Sequence, residues 1–217
     1  MDAVAAPPAL AVRVETLGRT DYGATLARMR DFTARRDEAT QDAIWLTEHP
    51  PVYTLGLAGK REHLLATGDI PVVETDRGGQ VTWHGPGQVV AYVLVDLARR
   101  GMKVRETVHL IESAIIATLA GYRVTGERRA GMPGVYVGAA KIAALGLKVS
   151  HGCTYHGMSL NVDCDLVPFD GINPCGYAGL AATSMAALGV TAPAAAVAER
   201  LAAHLAHLIE QHPAVHP

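Results

Sequence analysis

The chain has 217 residues, enough for one well-packed domain and short for two, and its 49% hydrophobic and 18% charged content is globular rather than disordered. A net charge of −2 lacks the basic surplus of a nucleic-acid binder and gives no whole-molecule attraction for an acidic partner. Three cysteines at irregular spacing make no disulfide framework and fit free thiols in a reducing, cytoplasmic setting.

In chain order, residues 1–10 read as a flexible N-terminal tail with neither the basic start nor the apolar run of a signal peptide. A single domain is expected over 11–212, and no stretch is long and apolar enough to suggest a membrane span. A strand is predicted at 12–17 and a helix at 21–36, with Asp21 as its cap. Short strands follow at 43–47 and 52–55, divided by His49-Pro50-Pro51, and another at 72–75. A glycine-rich stretch spans 77–88, and 89–95 is apolar throughout, as in a strand covered on both faces. Val104, Val108, Ile111, Ile115 and Leu119 have helical spacing. Strands are predicted at 134–137, 141–149 and 154–162, with a Gly/Pro loop near 168–179. Helices close the chain at 183–188 and 193–209, the second with Pro193 in its first turn and an apolar face of Val197, Leu201, Leu205 and Leu208. The pattern predicts an α+β domain, a mixed β-sheet with packed helices.

The cysteines differ in setting. Cys164 is in phase with apolar neighbours and reads as a packed, inert thiol. Cys153, after Gly152 near a strand end, reads either way. Cys175 stands in Asn173-Pro174-Cys175-Gly176, a rigid turn without apolar partners at sheet or helix spacing. On its own it is as well explained as a loop cysteine without a role. Lys141 adds to it, because strict alternation sets Lys141 on the face of Ala139, Ala143, Leu145, Leu147 and Val149, all apolar. A charged lysine there is costly unless paired, whereas a bulge at Gly138 would instead turn it to solvent. If the two meet, the amine can take the thiol proton and the ammonium then stabilises the thiolate.

The glycine-rich stretch matches neither a P-loop nor a dinucleotide fingerprint. Its density of glycines around Arg77, Trp83 and His84 favours the wall of a ligand site over a plain hairpin. His49, His84, His151 and His156 lack metal-ligand spacing, so no metal and no cofactor are expected. The basic pairs Lys60-Arg61 and Arg128-Arg129 are candidate contacts for an acidic partner.

Taken together, the segments Glu48 to Gly56, Arg77 to Gln88, Pro133 to Val137, Lys141 to Gly146, His156 to Asp163 and Phe169 to Gly176 resemble the lipoyl(octanoyl) transferase family of lipoate biosynthesis. The resemblance implies a fold similar to the lipoate/biotin protein ligase catalytic core. It implies transfer of an octanoyl group from octanoyl-acyl carrier protein to the lysine of lipoyl domains, in 2-oxoacid dehydrogenases and the glycine cleavage H protein. It implies that Cys175 is the acyl-thioester nucleophile and that Lys141 lowers its pKa as general base and acid. By position, Arg77, Gly78, Gly79, Gln80, Val81, Thr82, Trp83 and His84 would bind substrate, with Ala144, Leu145 and Gly146 and with Gly157, Met158 and Ser159. Ser159 and Leu145 depart from the commoner alanine and isoleucine of the family. The expected state is a monomer that binds neither nucleic acid nor membrane. Two other readings remain, an ATP-dependent lipoate or octanoate ligase of the same fold and a non-catalytic acyl-binding module.

Overall fold

In the computed structural model, which describes residues 11–177 and 179–212 apart from the Cys175 side chain, Asp21 starts the first helix as its sequence position predicts. Its carboxylate accepts the Ala24 N–H at 2.8 Å, satisfying a donor the helix itself cannot. That helix, α1, runs Tyr22–Ala34 after strand β1, Arg13–Arg19. Strands β2 (Ala43–Glu48), β3 (Val52–Leu55), β4 (Val72–Glu74), β5 (Val81–His84) and β6 (Gln88–Leu94) precede helix α2, Val104–Ala120. Then come β7 (Glu127–Arg129), β8 (Met132–Val137), β9 (Ala140–Ser150), β10 (Cys153–Asn161), the short α3 (Val167–Asp170) and α4 (Ala194–Glu210).

The expected mixed sheet is present in two parts. Seven strands lie in the order β1-β2-β6-β10-β9-β8-β7, with β1 and β2 parallel and the other pairs antiparallel. A second sheet is ordered β4-β3-β5, with β4 parallel and β5 antiparallel to β3. The strand β6 is buried at every position, which explains its unbroken apolar run. One face of the large sheet packs against α2 and α4 through residues such as Val93, Ile111, Ile115, Leu160, Leu201 and Leu205. Another cluster, around Leu26, Met29, Trp45 and Tyr92, joins α1 to the sheet. The small sheet packs Tyr53, Leu55 and Trp83 against Phe169 and Ile172. No helix among the described residues is long and apolar enough to cross a membrane.

Several sequence expectations need correction. The predicted helix at 183–188 is only a 3₁₀ turn, Ala186–Leu188. Its preceding amides are drawn elsewhere: Met185 and Ala186 donate to the carbonyls of Asn161 and Val162, pinning the segment to the end of β10. Val104 is exposed, and α2 turns Leu110 and Ala114 inward with Ile111, Ile115 and Leu119. In α4, Ile209 rather than Leu208 completes the buried row, and Pro193 is the N-cap. Strand β5 lies inside the glycine-rich stretch, and α3 and a 3₁₀ turn at Pro174–Gly176 lie inside the predicted loop. The tail at 1–10 falls outside the described residues.

Candidate active site

A cavity lies where β5, β6, β9 and β10 meet the loop before β5. Of the residues singled out from sequence, Arg77, Gly79, Gln80, Val81, Thr82 and His84 line it. So do Ala144, Leu145 and Gly146 of β9 and Gly157, Met158 and Ser159 of β10. Gly78 and Trp83 do not. Gly78 instead donates its N–H to the Leu147 carbonyl at 2.9 Å, fastening the loop to β9. Trp83 is buried in the small sheet's core, edge-on to Phe169. The close approach of loop and strand requires glycine at 146, where a Cβ would come within 2.6 Å of the Gly78 carbonyl oxygen. Arg77 is 8% exposed, and its guanidinium donates to the Thr54 carbonyl and hydroxyl at 2.6 and 2.9 Å, holding the loop against β3.

Four further wall residues, Tyr22, Val90, Tyr92 and His156, were not singled out as binding residues. A signal for Tyr92 existed, since it is the one hydroxyl-bearing residue in the apolar run 89–95. Tyr22 follows a helix cap and carries no such mark. Beneath the cavity the histidines form a neutral network. His49 Nδ1–H donates to the Thr20 carbonyl at 2.7 Å, which leaves Nε2 to accept from the Tyr92 hydroxyl at 2.7 Å. Burial lowers the His49 pKa, and raises that of Tyr92 well above its usual value. Gln88 donates to Trp83 O and Asn161 Oδ1, so its own oxygen accepts from His84 Nδ1 at 3.2 Å. Burial pushes His84 well below the imidazole range, with His49 and Arg77 acting the same way. His156 is held to about 4 by burial, against the opposing pull of Asp76. Neutral at pH 7, it donates from Nε2 to Asp76 Oδ1 at 2.9 Å. Asp76 feels burial too, but the bonds from His156, Tyr155 and Arg30 outweigh it and hold the carboxyl at about 2. The cavity floor therefore carries hydrogen-bonding groups without imidazolium charge, an environment compatible with an apolar chain. Among the described residues no group of three acidic, histidine or cysteine side chains could hold a metal ion.

Lys141 is buried, at 6% exposure, but not by strict alternation. The register of β8 and β9 shifts between the Val135–Ala143 and Tyr136–Lys141 pairs, and Ile142 and Ala143 both enter the helix-side core. Lys141 is thereby turned from the face of Ala143, Leu145, Leu147 and Val149 to that of Gly134 and Tyr136. Its Nζ lies 5.3 Å from the Tyr136 ring centroid and donates to the Pro133 carbonyl at 2.9 Å. Burial raises the Cys164 thiol to about 12 and lifts Cys153 as well, so both are protonated at neutral pH.

The Cys175 side chain lies outside the described residues, but its backbone is in the turn Pro174–Gly176. Just before that turn Asn173 N–H donates to the His63 carbonyl at 2.9 Å. At its end a Cβ on Gly176 would meet His63 Nε2 at 3.2 Å and Gln80 Cδ at 3.4 Å, which sets the turn against a residue of the cavity wall. A few residues on, Lys141 N–H donates to Ala181 O at 2.8 Å and Thr183 N–H to Lys141 O at 2.9 Å. The turn at Gly176 thus borders the cavity wall, and Ala181 and Thr183 bond the backbone of the lysine. Of the basic pairs, Arg128 donates to Glu112 and Arg129 to the Gly138 carbonyl at 2.6 Å, whereas Lys60 and Arg61 pair with exposed Glu62 and Glu74.

Residues 21–206 match the family described as the lipoyl protein ligase A/B catalytic domain. An octanoyltransferase of Dechloromonas aromatica is 57% identical over 198 residues, covering 91% of this chain and 97% of that one. A T. acidophilum structure described as a lipoate protein ligase with bound lipoic acid has the same fold. Its TM-score is 0.73 at 14% identity, covering 92% of this chain and 86% of the other. A bipartite lipoate protein ligase from Thermoplasma acidophilum, described with its E2 lipoyl domain, superposes at a TM-score of 0.67 with 12% identity, over 92% and 84% of the two chains.

Proposed function

The chain belongs to the lipoyl protein ligase A/B catalytic-domain family and carries out octanoyl transfer in protein lipoylation, and from that premise we propose how its residues do so. The Cys175 thiolate attacks the thioester of octanoyl-acyl carrier protein. The new bond joins Cys175 sulfur to the octanoyl carbonyl, the bond to the carrier's thiol breaks, and that leaving sulfur takes a proton from the Lys141 ammonium. A lysine amine of a lipoyl domain then attacks the Cys175 thioester, and Lys141 accepts the proton released as the amide forms. Exchange of one thioester for another keeps the acyl group activated, and amide formation then runs downhill. The octanoyl chain occupies the cavity among Val90, Leu145 and Met158, beside the loop from Arg77 to Gln80. Lipoyl domains are the acceptors, and the enzyme works as a cytoplasmic monomer.

The observations that carry this reading are two contacts, Gly176 against the wall residue Gln80 and the backbone bonds of Ala181 and Thr183 to Lys141. Incubation with octanoyl carrier protein should add one octanoyl mass to the intact chain, on the peptide bearing Cys175 and released by hydroxylamine. Absence of that adduct, with product still formed, would discard the covalent mechanism. Free octanoate and ATP should give no product without a carrier thioester; turnover under those conditions would favour the ligase reading suggested by the fold neighbours.

A further inference from the structure

The Cys175–Lys141 mechanism gives no reason for a carboxylate buried on α2. The Glu112 side chain is only 5% exposed, on a helix that otherwise turns Leu110, Ile111, Ala114 and Ile115 inward. A carboxylate is retained in such a place only when paired and hydrogen-bonded. Oε2 accepts from Arg128 Nε at 3.0 Å and stands 3.5 Å from His109 Nδ1. Oε1 accepts the Gly134 N–H at 3.0 Å. The carbonyl of that same peptide unit, Pro133 O, accepts from Lys141 Nζ at 2.9 Å. Carboxylate, amide and ammonium form one hydrogen-bonded chain in which both ends of a single peptide group are engaged. A carboxylate on the N–H polarises the amide and makes its oxygen a stronger acceptor for the lysine.

Gly134 completes the arrangement. Its φ is +128°, and a Cβ there would stand 2.5 Å from Lys141 Cε and 2.6 Å from the Ala143 carbonyl oxygen, so the lysine stem lies directly across the glycine. We propose that Glu112, acting through the Pro133–Gly134 peptide, is a positioning residue that fixes the Lys141 ammonium and supports its charge during acyl transfer. This rests on the Cys175–Lys141 reading above. Among the described residues, the charged and titratable groups seen against the chain include Arg128 and His109 at Glu112, and Tyr136 at Lys141, with the Arg129 guanidinium 4.4 Å from the tyrosine ring centroid.

The test is the pH dependence of Cys175 alkylation, read by mass spectrometry of the cysteine peptide in the full chain, with Lys141→Ala alongside. Glu112→Gln keeps an oxygen for Gly134 but removes the charge. The expected result is an alkylation midpoint raised by roughly half to one pH unit. The kcat for octanoyl transfer should fall about 3- to 30-fold while KM for the octanoyl carrier stays within about twofold. A folded Glu112→Gln chain with the wild-type midpoint, while Lys141→Ala moves it, overturns the role of Glu112 alone. A midpoint unmoved in both variants takes the Cys175–Lys141 reading down with it. Should Glu112→Gln fail to fold, the wild-type chain decides by NMR. The Gly134 amide resonance should titrate with the alkylation midpoint, and a resonance indifferent to that ionisation overturns the proposal.

Discussion

The two ends of β2 bury polar groups in opposite ways. Just before the strand stands Asp42, with no exposed side-chain surface and bonded to three guanidinium groups, those of Arg36, Arg99 and Arg100. Just after it stands His49, the first of the neutral histidines under the cavity. The Asp42 cluster joins the end of α1, β2, the chain after β6 and the carbonyls of Ile209 in α4 and His212 just after it, to which Arg100 also donates. There one carboxylate is shared by three guanidinium groups, and these charged contacts hold segments together. At the other end, burial strips the imidazoles of charge and leaves hydrogen-bonding surface that tolerates an acyl chain. Buried polarity serves cohesion in one place and a binding surface in the other.

The sharpest break of this contrast is a pair of substitutions. Cys175→Ser should lower octanoyl transfer by 10³-fold or more, with the urea midpoint nearly unchanged. Asp42→Asn should cost about 3–5 kcal/mol of stability by leaving buried guanidinium charge uncompensated, measured as a lower urea midpoint. Comparable stability loss in both would erase the distinction.

Acidification separates the regions next. Burial raises Asp42, but the Asp96 N–H and the arginines outweigh it and hold the carboxyl below its ordinary 3.8. A depressed acid contributes stability that is full above its unfolded value and lost as pH falls through the folded one. His156 follows the same sign: a folded value of about 4 against 6.5 unfolded means stability is lost as pH falls from 6.5 toward 4. The first losses on acidification therefore come from the cavity histidines, and those from Asp42 and Asp76 follow below 3.8. His156→Gln should flatten the stability profile between pH 6.5 and 4, and an unchanged slope in that window would remove His156 from the account. The smallest effect is expected from Ser159→Ala in the cavity wall. Stability should move by less than about 0.5 kcal/mol, while relative rates with hexanoyl, octanoyl and decanoyl carriers shift by a few-fold.

Much of the fold was legible in the sequence because its elements obey local rules. Asp21 caps as its residue type predicts, β6 reads as a strand buried on both faces, and α4 shows its apolar row. The failures occur where a distant segment overrides local preference. Residues 183–188 have helical composition, yet the carbonyls of Lys141, Asn161 and Val162 take the amides of Thr183, Met185 and Ala186; β5 forms in a glycine-rich run because β3 is there to pair with. For the cavity, the resemblance assigned twelve of the wall residues by position. Tyr22 and Val90 come from elements whose inward faces are set by packing. Lys141 was expected inside for the wrong reason, since alternation does not survive the register shift in β9. Glu112 carries no sequence mark at all, because its significance arises only when α2 meets the turn into β8.

The strand order also bears on how the chain reaches its native state. The partners of β6 are β2, made earlier, and β10, whose last residue is Asn161. A nascent chain that has emerged only as far as α2 therefore presents β6 with one edge unpaired, a seven-residue ribbon, apolar after Gln88 and open to addition by another chain. Protection arrives when the β9–β10 hairpin docks against it, which is also the moment the acyl-binding wall closes. Aggregation resistance during synthesis and assembly of the binding wall thus depend on one late event.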